Sequence, residues 1–466
     1  MFSNIVLREI HQHILSFRLH LTMILILLLF GLGSVAFIKG HTADRQSYEQ
    51  VYSTNLEKER SWAEKYLSNY MIRVRSLMLA PRSDAFITDA KEKMMPNQFW
   101  YSGFCVFGFE VPNWASNDLM ESFAELNWVY IVSIIIGFTV LLFSYDLVSG
   151  DKENGTLALT VSYPVSRGML LTGKYISVIT VAMLVLLPGI VLSLIILLLS
   201  GAVVFDGMLL EEIAGFLAGA GLFVACIAAL GLLSSIITTR SNVSLLVCLC
   251  IWLGSVVVVP NSALFFTDKL FPIESSQSVK ERINQAQQAV NAKHKAIYDA
   301  VKGSNVTAEE HFRMYEKQNM EWFQAEKTIK DSWNNSLFYQ FSGSRRLAAI
   351  SPVSLFEQLS EALVGGGLVR LRKAWSDMSL YQSQLLEWFK GVDAKDPESM
   401  HIYDPSNTFG MTHKIVDFAI VPQFQERRAS FAERLDGARL SLALLIIYTV
   451  IAFSLSFVLF VRYDVR

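Results

Sequence analysis

The amino-acid sequence predicts an all-α polytopic membrane protein with six transmembrane helices and two mainly helical extracytoplasmic inserts. Hydrophobic residues make up 52% of its 466 positions, and the mean hydropathy is +0.36. Six separate runs are apolar and long enough to cross about 30 Å of hydrocarbon, which takes ~20 helical residues. None of these runs contains Asp, Glu, Lys, Arg or His. In the longer polar stretch, residues 276–333 are rich in Ala, Gln, Lys and Glu, which favours helix.

The predicted spans include one short and one overlong member. They cover residues 21–38, 129–144, 175–205, 213–239, 243–267 and 440–461. The second is short and is expected to extend into Ser144–Leu147. The third contains Pro188, which predicts a kink or an interfacial turn because proline removes a helical hydrogen bond. Pro260 should stop or bend the fifth span for the same reason.

Basic residues in short flanks predict that both termini are cytoplasmic. Those on the predicted inner side are Arg8, Arg18, Lys152, Arg167, Lys174, Arg240, Arg462 and Arg466. The short loop 206–212 on the other side has three acidic residues and no basic one. Four arginines before the sixth span oppose this orientation, but long domains translocate largely regardless of charge: Arg427, Arg428, Arg434 and Arg439. We therefore place inserts 40–127 and 268–439 outside, and the loop 145–174 and the tail 462–466 inside.

The longer insert contains a repeated apolar position, because Ile283, Val290 and Ile297 are spaced seven residues apart. This spacing gives one narrow apolar stripe along a helix. Two interpretations stay open: a long helical arm that packs on a neighbour, or an ordinary helix of the domain. Four tryptophans are predicted to serve in core or interfacial packing rather than in a ligand site: Trp322, Trp333, Trp375 and Trp388.

Composition argues against several classes of function. The formal net charge of −2 argues against a nucleic-acid partner, for which a basic surface is the usual mark. An ion-coupled transporter needs ionisable groups at membrane depth, and the six runs have none. Driving energy is therefore expected from a soluble partner, and the apolar route favours a hydrophobic or lipid-like cargo. The polar segments hold one cysteine, Cys105, and no metal-ligand spacing, so neither an intrachain disulfide nor a metal site is predicted there.

The stretch from Gly168 to Lys174 has the glycine and lysine spacing of a phosphate-binding P-loop. A working P-loop needs Ser or Thr after the lysine to hold Mg²⁺, and it joins a buried strand to a helix. Tyr175 occupies that position here, bulky residues fill the loop, and no strand pattern precedes it. We therefore predict that this chain holds no nucleotide or other cofactor and is not itself an enzyme.

The predicted cytoplasmic loop, 145–174, reads YDLVSGDKENGTLALTVSYPVSRGMLLTGK. In order, the pattern predicts a polar turn at Ser149–Asn154, a short helix from Gly155 to about Ser162, a break at Pro164, and a second helix from Ser166 into the third span. Leu157 and Val161 would give the short helix an apolar face. Such a helix is either a docking knob for a soluble subunit or a plain membrane-surface connector.

This loop resembles that of the permease subunits of ABC-2-type transporters, which reads roughly S-G-E-K-E-x-G-T-L, then P-x-S-R, then G-K. The matching positions are Ser149, Gly150, Asp151 (in place of Glu), Lys152, Glu153, Gly155, Thr156, Leu157, Pro164, Ser166, Arg167, Gly173 and Lys174. Residues 1–20 look like that family's amphipathic elbow helix, which lies on the inner membrane surface. Segments 348–363 and 460–466 look like a subgroup with large extracytoplasmic inserts, related to multicopper-enzyme maturation permeases.

The resemblance implies an exporter of the bacterial inner membrane with two permease and two ATPase subunits, surrounded by membrane lipid. The second permease would be an identical or a related chain, and the ATPases would bind ATP and Mg²⁺ in P-loops of their own. The loop after the second span would be the coupling helix, seated in a groove of the ATPase. The residues assigned to that contact are Glu153 and Arg167 as charged contacts, Leu157 as the buried knob, Gly155 for tight entry to the helix, and Thr156.

Other functions remain open. In a mechanotransmission complex, the outer helices of insert 268–439 would relay ATP hydrolysis by the same partner to an envelope protein, without transporting a substrate. A membrane enzyme could use Ser149 and Lys152, which have the S-x-x-K spacing of a Ser/Lys nucleophile, although no oxyanion motif is nearby. A receptor or channel is the remaining class, and no ring of pore-lining charges supports it.

Overall fold

The computed structural model describes residues 2–89, 95–110, 126–162, 165–301 and 306–463. Within these ranges, six helical segments are long and apolar enough to cross a membrane. They are Phe17–Ala63, Trp128–Glu153, Arg167–Ser200, Gly207–Ile237, Ser241–Leu270 and Phe431–Arg462, called spans 1 to 6 below. Each predicted apolar run overlaps one of them, so the all-α polytopic membrane class is confirmed. A separate amphipathic helix, Phe2–Ile14, precedes span 1 and packs against span 3; we call it the elbow helix.

Span 1 is much longer than its apolar run, because one continuous helix extends from Phe17 to Ala63. The helix is capped by Ser16, whose side chain accepts a hydrogen bond from the backbone N–H of Leu19. Its polar continuation, residues 39–63, contains one glycine and no proline, so nothing in it breaks helical hydrogen bonding. Span 1 therefore continues as one unbroken helix into the polar part of the protein, at the end of the bundle away from Phe17. We call that part, which comprises the described residues within 39–110, 271–348 and 364–430, the outer domain.

Both prolines that were predicted to interrupt spans lie inside continuous helices. Span 3 passes through Pro188 and ends at Gly201, which closes the helix with a left-handed φ of +64°. An interfacial turn at Pro188 is therefore wrong. Pro260 does not stop span 5, which continues to Leu270. The π-helical turn Gly254–Val258 just before it shifts the hydrogen-bonding pattern, and such local adjustments let membrane helices accommodate proline.

Span 2 is assembled from several helical pieces. It begins with Trp128–Tyr130, continues through the π-helical turn Ile131–Ile136 and the α-helix Gly137–Ser144, and after a short turn ends with Ser149–Glu153. The side chain of Asn127 accepts a hydrogen bond from the Tyr130 backbone N–H and caps the first piece. The expected extension beyond Ser144 is present, although it is not one unbroken helix.

The outer domain contains a small sheet that the sequence analysis did not predict. Strands β1 (Arg75–Met78), β2 (Gln98–Tyr101) and β3 (Val106–Glu110) form an antiparallel sheet in the order β1-β2-β3. The register pairs Phe99 with Phe109. The signal was present in QFWYSGFCVFGFE, where aromatic residues alternate along two runs separated by a Ser-Gly turn. The first insert therefore contains a short sheet beside its helices.

Two long helices of the second insert, Ser276–Val301 and Ala308–Ala348, pack side by side; we call them the hairpin helices. Lys293 lies 2.7 Å from Glu321 across this contact, and Tyr298 donates a hydrogen bond to Gln318. The pairs show that the helices are antiparallel. Along the predicted apolar stripe, Ile283 and Val290 are half-buried while Ile297 is exposed. The chain therefore covers this stripe along only part of its length.

The helix Gly367–Asp393 forms the centre of the outer domain. Its buried side chains Leu371, Met378, Leu385 and Phe389 join a core that includes Phe99 and Phe109 of the sheet. Trp375 packs on both phenylalanines, with ring centroids 6.3 and 5.5 Å apart. Trp375 and Trp388 both lie against this core, so each has a packing role.

The helix Pro352–Leu363 returns into the bundle; we call it the re-entrant helix. Leu355, Phe356 and Leu359 are fully buried, and the helix packs between spans 4 and 6. Just before it, Ser351 Oγ donates a hydrogen bond to the carbonyl of Ser255, near the midpoint of span 5, at 2.7 Å. Part of the second insert therefore packs inside the bundle of spans.

The four arginines that opposed the predicted orientation each pair with a carboxylate at the outer end of the molecule. The pairs are Arg427 with Asp377, Arg428 with Asp206, Arg434 with Glu211 and Glu212, and Arg439 with Asp436. Their positive charge is therefore balanced by acidic residues within the fold.

Candidate functional site: the loop after span 2

The loop is taken here to include the last helical piece of span 2, Ser149–Glu153. A second short helix, Thr156–Ser162, follows it after Asn154 and Gly155. The polar turn predicted at 149–154 is therefore largely helical instead. Gly155 has a left-handed φ of +69°, a conformation that glycine adopts without the steric cost of a Cβ. The second helix matches its predicted extent within a residue. The break predicted at Pro164 lies outside the described residues.

Two charged side chains of the first loop helix bind the backbone where span 4 ends and span 5 begins. Lys152 Nζ donates to the carbonyl oxygens of Ile236 and Thr238, the latter at 3.0 Å. A helix C-terminus leaves such carbonyls without partners and attracts positive charge. Glu153 Oε2 accepts a hydrogen bond at 2.9 Å from the backbone N–H of Ser241, the first residue of span 5. The loop is thus fixed to both helices of the span 4–5 turn.

Arg167 and Lys174 fasten the other side of the loop. Arg167 donates to the carbonyls of Val461 and Tyr463 at 2.9 and 2.7 Å, where span 6 ends. Lys174 is buried and lies 3.3 Å from Glu9 of the elbow helix and 3.2 Å from Asp151 of the loop. Motif residues thus tie the loop to spans 4, 5 and 6 and to the elbow helix.

The resemblance to a P-loop between residues 168 and 174 has a packing explanation. The whole stretch is helical, at the start of span 3. A Cβ on Gly168 would lie 2.8 Å from the ring of Phe457 in span 6, and one on Gly173 would lie 2.9 Å from Ile5 of the elbow helix. These glycines allow neighbouring helices to approach closely, and Lys174 binds the elbow carboxylate. The stretch therefore does not have the strand–loop–helix form of a phosphate-binding loop.

The structure places Leu157, the predicted apolar knob, on the inner side of the loop helix. Leu157 is only 4% exposed and packs into the core of the bundle, so it does not project toward a partner. Leu159, two residues on, is 67% exposed on the opposite side of the same helix. Thr156 and Gly155 are exposed beside it, and the Thr156 hydroxyl lies 3.2 Å from the Asp151 carboxylate. Sequence reasoning missed Leu159, because a helix this short does not show which leucine faces inward.

The Ser149 and Lys152 pair is not arranged for nucleophilic catalysis. Ser149 Oγ donates to the carbonyl of Tyr145, and Lys152 Nζ is held by the carbonyls at the end of span 4. A Ser/Lys mechanism needs the amine within hydrogen-bond reach of the hydroxyl. Among the residues the structure describes, no group of three or more His, Cys, Asp or Glu side chains could hold a metal ion.

Sequence reasoning also missed an ion pair that joins span 1 to the loop. Arg18 lies 3.1 Å from Asp146 and donates a hydrogen bond at 2.8 Å to the hydroxyl of Tyr145. Both charges were visible in the sequence, but they are 128 positions apart. With this pair, the loop contacts the start of span 1 as well as the ends of spans 4 and 6, the start of span 5 and the elbow helix.

A bundle of six helices long and apolar enough to cross a membrane defines a polytopic membrane protein. The chain belongs to the ABC-2 family of transporter proteins, because the family model described as "ABC-2 family transporter protein" matches residues 3–465. The family is one of transmembrane transporter subunits and implies an ABC ATPase partner.

Two relatives share a short stretch with this chain. It is 39% identical over 46 residues to a probable ABC transporter permease protein NosY of Pseudomonas aeruginosa, and 37% identical over 46 residues to one of Stutzerimonas stutzeri. Each match covers 10% of this chain and 17% of the relative. The matched part is therefore about one sixth of each relative's length.

Proposed function

We propose that this ABC-2 permease subunit exports a hydrophobic or lipid-like substrate from the cytoplasm or the inner membrane. It would work as one of two permeases, identical or related, with two copies of an ATPase that binds ATP and Mg²⁺. Both termini and the loop after span 2 are then cytoplasmic. The absence of charged residues from the predicted apolar runs supports an apolar cargo and an external source of energy.

The observation that carries the proposal is the combination of an exposed knob and fixed attachments in one loop. Leu159 and its exposed neighbours form a convex surface, while Lys152, Glu153, Arg167 and Lys174 fasten the loop to span ends. A partner that displaces this helix would therefore move the ends of spans 4, 5 and 6 together with the elbow helix. Within the contact first assigned to the ATPase, Gly155 and Thr156 remain surface residues, and Leu159 takes the place of Leu157.

The test is co-purification of this chain with an ATPase encoded beside its gene, followed by an assay of ATP hydrolysis. Leu159→Asp should lose the complex and the stimulated hydrolysis, because a charge would be buried in the contact without a partner. Leu380→Asp is the matched control, since Leu380 is 47% exposed at the opposite, outer end of the molecule. An unchanged complex with Leu159→Asp, or hydrolysis by this chain alone, would overturn the assignment.

A second candidate function is mechanotransmission to an envelope partner that contacts the second insert. Span 1 supports it, because one 47-residue helix extends from near the loop into the outer domain. The hairpin helices add an elongated surface there. Reconstituted vesicles separate the two functions: an exporter moves a fluorescent lipid probe across the bilayer when ATP is hydrolysed. A mechanotransmitter hydrolyses ATP without moving any such probe.

A further inference from the structure

The outer domain contains a cavity of about 240 Å³ between the second hairpin helix and the helix Gly367–Asp393. Val106 of strand β3 closes one side. From the hairpin helix, Lys327, Asp331 and Asn335 line the cavity at successive i, i+4 positions. From the facing helix, the lining residues include Trp375, Ser379 and Gln382. The cavity opens to the surface, because Asn335 is exposed and the side chains of Lys327 and Asp331 are only half-buried.

The two charges in the cavity, Lys327 and Asp331, have no ion-pair or hydrogen-bond partner among the described residues, although they are one turn apart. The neighbouring Lys330 does pair with Glu326, at 2.6 Å, on the same helix. Burial raises the pKa of Asp331, while Lys327 acts in the opposite direction. A half-buried cation and a half-buried anion thus line the same space, where a ligand that enters the cavity can reach both.

The remaining groups in the cavity offer acceptors and one flat wall. The amide nitrogen of Gln382 donates to the carbonyl of Gly103 at 2.9 Å, which leaves its carbonyl oxygen as an acceptor. Ser379 Oγ donates to the carbonyl of Trp375 and keeps its lone pairs. The Trp375 ring, packed on the core behind it, provides the apolar wall. The site therefore suits a small molecule with both charges and a compact side chain.

We propose that this cavity binds a small zwitterionic α-amino acid with an uncharged side chain. Its carboxylate lies against the Lys327 ammonium, its ammonium group against the Asp331 carboxylate, and its side chain against Trp375. A polyol of the same size would leave both protein charges without counter-charges, so the charge pattern selects a zwitterion. The cavity is smaller than the ~300–1,000 Å³ of drug-sized sites, which limits the ligand to a small amino acid. The site lies at the opposite end of the molecule from the loop after span 2, and ligand binding there requires no ATPase.

The experiment is isothermal titration calorimetry on the purified full-length chain in detergent. L-Serine is the zwitterionic probe, and ethanolamine, lactate and glucose carry only the cation, only the anion and no charge. We expect L-serine to bind with one site per chain, and the three comparators at least tenfold more weakly. Lys327→Met and Asp331→Asn should each weaken L-serine binding about tenfold to a hundredfold, since each removes a hydrogen bond to a charged group.

Two matched controls keep the same chemical changes away from the cavity. Lys317→Met alters an exposed lysine of the same helix, and Asp299→Asn alters an exposed aspartate of the first hairpin helix. Both should bind L-serine as the unchanged chain does. If a charge variant fails to elute as a single species, Ser379→Leu, which fills the cavity with apolar volume, must abolish binding instead. No binding of L-serine, equal binding by the charge variants, or binding of glucose alone would overturn the proposal.

Discussion

Arg434 is a fully buried charge at the outer end of span 6. Its guanidinium lies 2.7 Å from Glu211 and 3.6 Å from Glu212, and it donates to the carbonyl of Leu363 at the end of the re-entrant helix. Removing one partner of a buried pair leaves the other charge without compensation. Arg434→Met should therefore lower the free energy of unfolding by about 3–5 kcal/mol, seen as a large fall in the thermal midpoint of the purified chain.

The control for Arg434 is another arginine of the same helix. Arg439 pairs with Asp436, and both side chains are well exposed, so Arg439→Met should change stability by less than about 1 kcal/mol. Adding Glu212→Gln to Arg434→Met should recover part of the loss, because it removes one of the unpaired carboxylates. Equal losses of stability in Arg434→Met and Arg439→Met would contradict the inference that the buried contacts of Arg434 stabilise the fold.

Gly155 tests whether backbone conformation fixes the loop. Its φ is +69°, and a Cβ at this position would meet no atom within 4 Å, so Gly155→Ala costs only the left-handed conformation, about 1–2 kcal/mol. Hydrogen exchange in residues 149–162 should become faster. Gly391→Ala, at an exposed helical glycine with equal space around it, should leave that exchange unchanged. Unaltered exchange with Gly155→Ala would show that the loop tolerates another backbone path.

At the scale of single residues, the sequence identified important positions in the loop but did not show which residues they contact. The motif positions 152, 153, 167 and 174 were visible, yet their partners lie up to 296 positions away in the chain. Charge type alone does not distinguish a contact with an ATPase from a cap on a span end. Leu157 points inward and Leu159 outward because of the way the loop packs on the bundle. A helix of seven residues is too short for its sequence pattern to predict which leucine is buried.

Among the elements, the re-entrant helix makes a direct prediction about stability. Phe356 is fully buried and stacks on Phe223 of span 4 with ring centroids 4.6 Å apart. Phe356→Ala should lower the free energy of unfolding by about 3–5 kcal/mol, since it leaves a cavity in the bundle core. Thermal unfolding in detergent measures this. Phe409→Ala, at a ring that is 65% exposed in the outer domain, should have little effect, and a small loss for Phe356→Ala would argue against the re-entrant position.

Local sequence patterns predicted the membrane-spanning helices well. They predicted poorly those elements whose structure depends on packing against other parts of the chain. Length and hydropathy were sufficient for the six spans, because hydrocarbon admits few other structures. Pro188 and Pro260 did not end their helices, since packing and a π-helical turn accommodate them. The helix Pro352–Leu363 lies inside a long polar insert, and its apolar face was not distinguishable from that of a helix in a soluble domain. The three short strands were overlooked for their length.

For the whole molecule, the charges that set orientation are distributed in two different ways. Lysines and arginines at the loop end bind backbone carbonyls and carboxylates that terminate spans. At the other end, Arg427, Arg428 and Arg434 pair with acidic residues of the outer domain and of residues 206–212. These arginines therefore add little net charge to that end. The positive-inside rule counts Lys and Arg in short flanks rather than net charge, so these arginines are discounted because they follow a long insert and not because they are paired.

The orientation itself can be measured with single cysteines, because the native thiols give little background. Cys105, Cys226 and Cys248 are buried, and Cys250 is exposed but lies within the apolar run of span 5. Burial raises the pKa of the Cys105 thiol to about 12, so almost none of it is the reactive thiolate near neutral pH. Asn154 in the loop and Lys295 in the first hairpin helix are both exposed and suit replacement by cysteine.

With a membrane-impermeant maleimide on intact spheroplasts, Lys295→Cys should be labelled at once. Asn154→Cys should be labelled only after the membrane is permeabilised, and the unchanged chain should remain nearly unlabelled in both conditions. This result would put the loop on the side where ATP is available and the outer domain outside, as the proposed export requires. The reverse pattern would place the knob at Leu159 beyond the reach of any cytoplasmic ATPase, and the coupling proposal would then fail even though the fold stands.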